Sequence, residues 1–326
     1  MPPELLEFEE PIAPLLKELD ALTALPHTPA RDDELERLRK RLETARAELY
    51  SRLTPWQRVL VARHPNRPNM VDFIERLFPE FTELHGDRRF ADDRAIVGGF
   101  ALYRGDPVMV VGHQKGSDTK QKIYRNFGYA KPEGYRKAIR LMRLAEKFGR
   151  SIVVFIDTPA AYPGVESEER GIAEAIAFNL REMMTLDVPV VVIVTGEGGS
   201  GGALGIAIGD RILMLEHAIY SVIPPEGCAA ILWRDANRKV EAAEALKLTA
   251  PDLLERGIID EIVSEPIGGA HTDADRTTSL LDEALNRTLA ELRGADAAAR
   301  LETRYQKFRN MGRLGIDFRD EGASGV

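Results

Sequence analysis

A single cysteine, Cys228, stands in 326 residues, which excludes an internal disulfide and suits a reducing compartment. No apolar run approaches the roughly 18 residues of a membrane span, and Met1-Pro2-Pro3-Glu4 lacks the basic and apolar regions of a signal peptide. The six histidines form no His-x-x-x-His pair and the lone cysteine no Cys-x-x-Cys, so no metal is expected on this chain. A net charge of −8 speaks against a dedicated nucleic-acid binder, which needs an excess of Lys and Arg on its contact face. Only two tryptophans are present, and Trp56 and Trp233 read as packing anchors. These absences leave a cytoplasmic globular protein with no membrane segment as the expectation.

The charge that is present is uneven. From Lys115 to Arg150 there are eleven Lys or Arg against three acids, either a solvated helix face or a surface that meets phosphates or an acidic partner. Hydrophobic residues make up 44%, enough for a sizeable core.

Hydrophobic spacing divides the chain. Leu35, Leu38, Leu42, Ala45 and Leu49 form a narrow stripe at steps of three and four, with Asp32 and Asp33 suited to its N-cap. It is too short to stand alone, and pairing with Leu15, Leu16, Leu19 and Leu22 in a helical hairpin, or packing on a partner chain, is expected. An N-terminal helical segment is thus placed at 1–60, a main domain at 61–310 and a flexible tail at 311–326. In the main domain, residues 95–103 and 107–112 read as a β-hairpin, 135–148 and 169–186 as helices, and 151–157, 188–195 and 211–215 as strands buried on both faces. A strand at 261–263 and a helix carrying Leu281, Leu285, Leu289 and Leu292 follow. This alternation predicts an α/β architecture.

Chemistry concentrates in Gly196-Glu197-Gly198-Gly199-Ser200-Gly201-Gly202-Ala203, with five glycines in seven residues. Glycines at a helix start let a ligand approach bare amides, which stabilise a phosphate or a developing oxyanion. The run satisfies GxGxxG, and Glu216 lies about twenty residues on as in a dinucleotide fold. However, only Ala203 to about Gly209 remains for the crossover helix, and no Walker lysine follows. A second special loop, Asp157-Thr158-Pro159-Ala160-Ala161-Tyr162-Pro163-Gly164, ends the preceding strand. The two loops are placed to close on one crevice. Glu166, Glu168, Glu169, Glu197 and Glu226 are the candidate general acids or bases. Cys228 is more simply small core filling than a nucleophile.

Several segments in order carry a resemblance: Ala62-Arg63-His64-Pro65, Gly112-His113-Gln114-Lys115-Gly116, Arg125-Asn126-Phe127-Gly128, Pro132-Glu133-Gly134-Tyr135-Arg136-Lys137-Ala138, both loops, Tyr220-Ser221-Val222-Ile223, and Pro225-Glu226-Gly227-Cys228-Ala229. Across nearly the whole chain the sequence resembles the carboxyltransferase alpha subunits of bacterial acetyl-CoA carboxylases. The resemblance implies a crotonase-like fold, a spiral of ββα units, and transfer of a carboxyl group from carboxybiotin on its carrier protein to acetyl-CoA, giving malonyl-CoA for fatty acid synthesis. Implied partners are a zinc-ribbon beta subunit in an alpha2beta2 assembly, the biotin carboxyl carrier protein and biotin carboxylase. By match to the family's glycine pair, the amides of Gly201 and Gly202 hold the biotin oxygen. Gly198, Gly199, Ala160 and Ala161 are expected to line that site, and Lys115, Lys120, Lys122 and Arg125 to face the carrier or the CoA phosphates. The family turn usually reads Asp-Thr-Pro-Gly-Ala-Tyr-Pro-Gly; Ala160 replaces its first glycine, so an ordinary backbone is expected there. A stand-alone acyl-CoA hydratase or isomerase, and a carrier-docking scaffold without catalysis, are the competing readings.

Overall fold

The computed structural model describes residues 5–312; the expected tail beyond 312 lies outside them. After a 3-10 turn at Glu7–Ile12 come helices α1 (Ala13–Thr23), α2 (Pro29–Tyr50), α3 (Pro55–Ala62) and α4 (Met70–Leu77). Helix α1 packs along α2, and the stripe residues Leu35, Leu38 and Leu42 are buried. The N-cap of α2 is Thr28, not Asp32 or Asp33: its hydroxyl accepts the Arg31 amide and Pro29 opens the first turn. The helix starts there because proline pre-sets helical φ where no amide partner is needed.

Strands β1 (Thr82–Glu83), β2 (Ile96–Tyr103) and β3 (Asp106–His113) are antiparallel. Arg104 and Gly105 both take positive φ, 51° and 88°, the tight turn whose twist matches a hairpin. Helices α5 (Thr119–Tyr124) and α6 (Pro132–Lys147) lead to β4 (Ile152–Thr158). The expected 169–186 helix is two pieces, α7 (Val165–Glu169) and α8 (Ile172–Met183), divided at Gly171 with φ 76°.

Strand β5 runs Val190–Gly199, four residues past its expected end, and takes the first half of the glycine run into the sheet. It is followed by α9 (Ser200–Leu204), β6 (Arg211–Leu215), β7 (Ile219–Ser221), α10 (Pro225–Trp233), α11 (Lys239–Leu246), α12 (Ala250–Glu255), β8 (Glu261–Val263), α13 (Ala274–Gly294) and α14 (Ala297–Asn310). The sheet order is β1-β2-β3-β4-β5-β6-β8, and β7 pairs with β5 beyond β6. From β3 onward all pairings are parallel. Strands β4 and β6 carry continuous Val, Ile, Leu, Met and Phe, as sheets covered on both faces require. Helix α6 lies on β2 and β3 beside α8, while α13 lies on β5 and β8 beside α4.

Buried charge fastens the periphery to this core. Arg304 of α14, fully buried, donates to both carboxylate oxygens of Asp210 at 2.8 Å and to the carbonyls of Met183, Leu186 and Val188. The basic stretch 115–150 is partly neutralised within the fold: Arg136 pairs with Asp87, Lys137 with Asp92, and Arg143 with Glu146 and Glu182. Cys228 is buried against Ala229 and Ala242.

Candidate active site

Parallel strands leave ligand-ready crevices at their carboxyl ends, and here the ends of β3, β4 and β5 meet the end of α3. Asp157, on β4, accepts the Glu197 amide of β5 at 2.9 Å. A side chain at Gly196 would stand 2.4 Å from the Asp157 oxygen, so glycine is needed for that carboxylate to reach the strand. Lys115, just past β3, places Nζ 2.7 Å from Asp157 and 2.6 Å from Glu197. Arg63, at the end of α3, donates from Nε to Glu197 at 2.7 Å and from Nη1 to Glu226 at 2.6 Å.

Four of these charges, Arg63, Lys115, Asp157 and Glu197, border a cavity of about 410 Å³ that Arg67, Lys122, Phe127, Tyr129 and Pro159 also line. Burial pushes the Glu197 carboxyl up, but the Lys115 and Arg63 charges outweigh it and hold it at about 2. Burial likewise disfavours the Lys115 ammonium, and Asp157 and Glu197 more than offset it, raising its pKa. Glu197 is therefore a fixed anion with no proton to give near neutrality, against the expectation that it could serve as a general acid. His113, fully buried, is driven to about 3 by burial and the Lys115 charge, and stays neutral.

The second half of the glycine run turns into α9. Ser200 takes φ 49°, and the N-cap Gly199 offers no side chain to cap the helix. The first-turn amides, including those of Gly201 and Gly202, have no intrahelical acceptor by the geometry of a helix start. The Pro159–Ala161 turn presses on this segment: a methyl on Gly202 would stand 2.3 Å from the Ala160 carbonyl carbon, and one on Gly199 1.8 Å from the Pro159 oxygen. Gly201 is open, its nearest neighbour to such a methyl being Ile176 Cδ1 at 3.5 Å. Ala160 is absent from the positive-φ residues, so alanine fits the turn without strain. The turn is tied down by the Thr158 hydroxyl, within 2.7 Å of the Gly128 carbonyl, and by the Tyr162 amide on the Ala130 carbonyl.

Of the residues expected at a site, Gly198, Gly199, Gly201, Gly202, Ala160 and Ala161 come together at this interlock, while Gly201 and Gly202 themselves lie outside the 410 Å³ cavity wall. Lys122 lines the cavity and is half-buried, Lys120 is exposed on α5, and Lys115 points inward to its two carboxylates. Arg125 donates to the Arg94 carbonyl and lies over the Tyr124 ring. Glu166 pairs with Lys131 at the surface. Sequence reasoning did not bring Arg63, Phe127 or Tyr129 to the site; the one signal for Arg63 and Phe127 was their membership of the ordered segments, and Tyr129 lies just outside them. Among the described residues no group of three or more His, Cys, Asp or Glu gathers as a metal site, and no helix is long and apolar enough to cross a membrane.

A family described as acetyl co-enzyme A carboxylase carboxyltransferase-like matches residues 5–312. The chain belongs to that family. This carboxyltransferase chain is 56% identical to the acetyl-coenzyme A carboxylase carboxyl transferase subunit alpha of Geobacter metallireducens over 310 residues, 95% of this chain and 98% of that one. The subunits of the same name from a Geobacillus species and from Bordetella pertussis are 54% and 53% identical, each over 95% of this chain. Among solved structures, transcarboxylase 12S superposes with a TM-score of 0.54 at 20% identity, over 71% of this chain and 43% of that longer one. A Pseudomonas malonate decarboxylase hetero-tetramer superposes with 0.54 at 17%, over 68% of this chain and 90% of its own. At those identities the likeness is one of fold, and it is the crotonase-like arrangement that the sequence led us to expect. The family makes the chain a transferase enzyme.

Proposed function

We propose that this chain supplies the carboxybiotin half of an acetyl-CoA carboxyltransferase, with Gly201 and Gly202 as its oxyanion donors. The observation that carries the reading is the uncapped first turn of α9 clamped on the Pro159–Ala161 turn, which leaves Gly201 open to approach. Two adjacent N–H donors on a rigid frame suit an oxygen that gains negative charge, because they need no reorganisation as the charge develops. Bound carboxybiotin supplies a carboxyl group whose departure places negative charge on the ureido oxygen and frees a ring nitrogen able to take the acetyl methyl proton. The chain's part is then to hold that oxygen at the two amides, to wall it with Ile176, and to keep the turn in place through Thr158 and the Asp157–Lys115–Glu197 cluster. A removable proton on Glu197 or Lys115 is not required.

The second half of the site, holding the acyl-CoA enolate, falls to a zinc-ribbon beta subunit, in an alpha2beta2 assembly served in the cytoplasm by the biotin carboxyl carrier protein and biotin carboxylase. The product is malonyl-CoA for fatty acid synthesis. Lys122 and Lys120 are assigned to the carrier or the CoA phosphates; Lys115 is assigned to the ion cluster instead. The depressed Glu197 pKa removes that one glutamate as the general acid of a stand-alone hydratase.

The test is a Gly201→Val variant, whose side chain fills the open approach. Assembled with the beta chain and carboxylated carrier, it is expected to lose about 10²–10³ in turnover, the scale of a lost oxyanion donor, while co-purifying normally. Unchanged turnover sinks the assignment of these amides. Hydration of an enoyl-CoA by the chain alone points instead to the hydratase.

A further inference from the structure

Away from the glycine run, the loop between β1 and β2 folds back on α6 and α8. It is braced from within: Asp87 Oδ1 accepts the amides of Arg89, Phe90 and Ala91 at 2.9, 2.7 and 3.1 Å, and Asp92 accepts that of Gly86 at 2.7 Å. Arg88 takes φ 64°, a conformation that a non-glycine side chain holds only under local constraint. Its guanidinium donates to the His85 carbonyl at 2.8 Å, and Arg140 of α6 donates to the same oxygen at 3.2 Å and to the Gly86 carbonyl at 3.0 Å.

Two guanidinium groups thus converge on one neutral oxygen, and neither has a carboxylate within ion-pair reach among the described residues. The nearby acids are engaged: Asp87 with Arg136, and Asp92 with Lys137 and His85. Arg89 is exposed and also has no carboxylate partner among the described residues. Burial and the Arg88 charge pull the Arg140 pKa down, outweighing Asp92 and Asp87.

Beside these cations runs a groove of about 300 Å³ with Ile139, Ala175 and Phe178 among its lining. Five arginines and three acids line it, a local positive excess on a chain of net −8. Glu174 and Glu182 lie on α8, the opposite wall from the loop arginines.

We propose that this groove binds an organic phosphate of mononucleotide size, its phosphate among Arg88, Arg89 and Arg140 and its ring or apolar body on Ile139 and Phe178. Guanidinium forks match phosphate oxygens in geometry and charge, and a dianionic phosphate neutralises the groove's excess. The volume is at the lower end of small-ligand sites. The acids on α8 repel an acidic peptide laid along the groove, which favours a compact ligand.

AMP and inorganic phosphate, titrated calorimetrically into the full chain at low salt, are the probes. AMP is expected to bind, and Arg89→Ala, which breaks no internal bond, to weaken it at least threefold; Arg140→Gln should weaken it at least tenfold. Phe178→Ala should weaken AMP while leaving inorganic phosphate unchanged. Lys122→Gln, in the separate 410 Å³ cavity, should leave AMP affinity as it is. Absence of AMP binding at millimolar concentration overturns the proposal, as does binding lost in Lys122→Gln but kept in both arginine variants. Inorganic phosphate binding as tightly as AMP overturns the part assigned to Phe178. Far-ultraviolet circular dichroism on each variant separates lost binding from lost folding; Arg89→Ala carries the decision if Arg140→Gln unfolds.

Discussion

Lys115 holds two carboxylates in a largely buried place where water screens them only weakly, so its removal is costly in a way its sequence position does not suggest. Lys115→Met leaves Asp157 without a cation and Glu197 with Arg63 alone. Breaking a buried pair by deleting one partner costs about 3–5 kcal/mol, and the lower end is expected because Arg63 remains. Urea unfolding measures it, and a loss below about 1 kcal/mol contradicts the buried-cluster account. The same charges set the acid response. His271, pulled to about 3 by burial, His64 and Arg67, and His113 both stay neutral in the fold but take a proton in the unfolded chain below their ordinary 6.5. Stability therefore begins to fall as pH drops through 6.5. Glu197 and Glu265, the latter held at about 2 against burial by Arg67 and His217, add a second fall from the ordinary 4.5 down to 2. Unfolding midpoints between pH 7.5 and 3 should show two limbs, and Glu197→Gln should flatten the lower one. A profile flat from pH 7 to 4 contradicts the histidine assignments, and one with no steeper fall below pH 4.5 contradicts the carboxylate ones.

At the scale of elements, the interlock of α9 with the Pro159–Ala161 turn separates two neighbouring glycines. Gly201→Ala should change the thermal midpoint little, since the added methyl meets only Ile176 at 3.5 Å and Ala restricts the unfolded chain. Gly202→Ala must displace backbone at 2.3 Å, and overpacking of that kind costs about 1–3 kcal/mol. Equal midpoints for the two variants contradict the interlock. The strands and the hairpin were legible because runs such as Ile152–Ile156 and Ile212–Leu215 are apolar on both faces, a pattern only a covered sheet explains. The end of β5 was not. Glycines are depleted in strands, yet Glu197, Gly198 and Gly199 are held by pairing with Ile219, Tyr220 and Ser221, partners a local reading cannot see. The start of α2 was missed for a nearer reason, two acids outweighing the Thr28-Pro29 cap. That the glycine run and the Asp157 turn meet was legible. The ion cluster was not, because Arg63 meets Glu197 across 134 residues and Glu226 across 163.

Over the whole molecule, stability is distributed by long-range staples. Arg304 is the largest fully buried side chain among the described residues and joins α14 to the stretch before β5 through the Met183, Leu186 and Val188 carbonyls and to the loop before β6 through Asp210. Arg304→Ala removes that packing and leaves Asp210 with only the more distant Arg300 as a cation, so a loss of about 3–5 kcal/mol is expected. Guanidinium-induced unfolding measures it; a loss under about 1 kcal/mol shows that α14 merely rests on the core. Strand β5 has a different kind of reach. Its first residues pair with β6 and its last with β7, while β4 borders it along the other edge. Inserting or deleting one residue between Val190 and Gly199 would turn every later side chain to the opposite face and shift the ladder to β7 together with the helix start beyond it. A change of length is therefore better tolerated in loops such as the one around Gly257 than in this segment, whose spacing works as a ruler for the helix start that follows it.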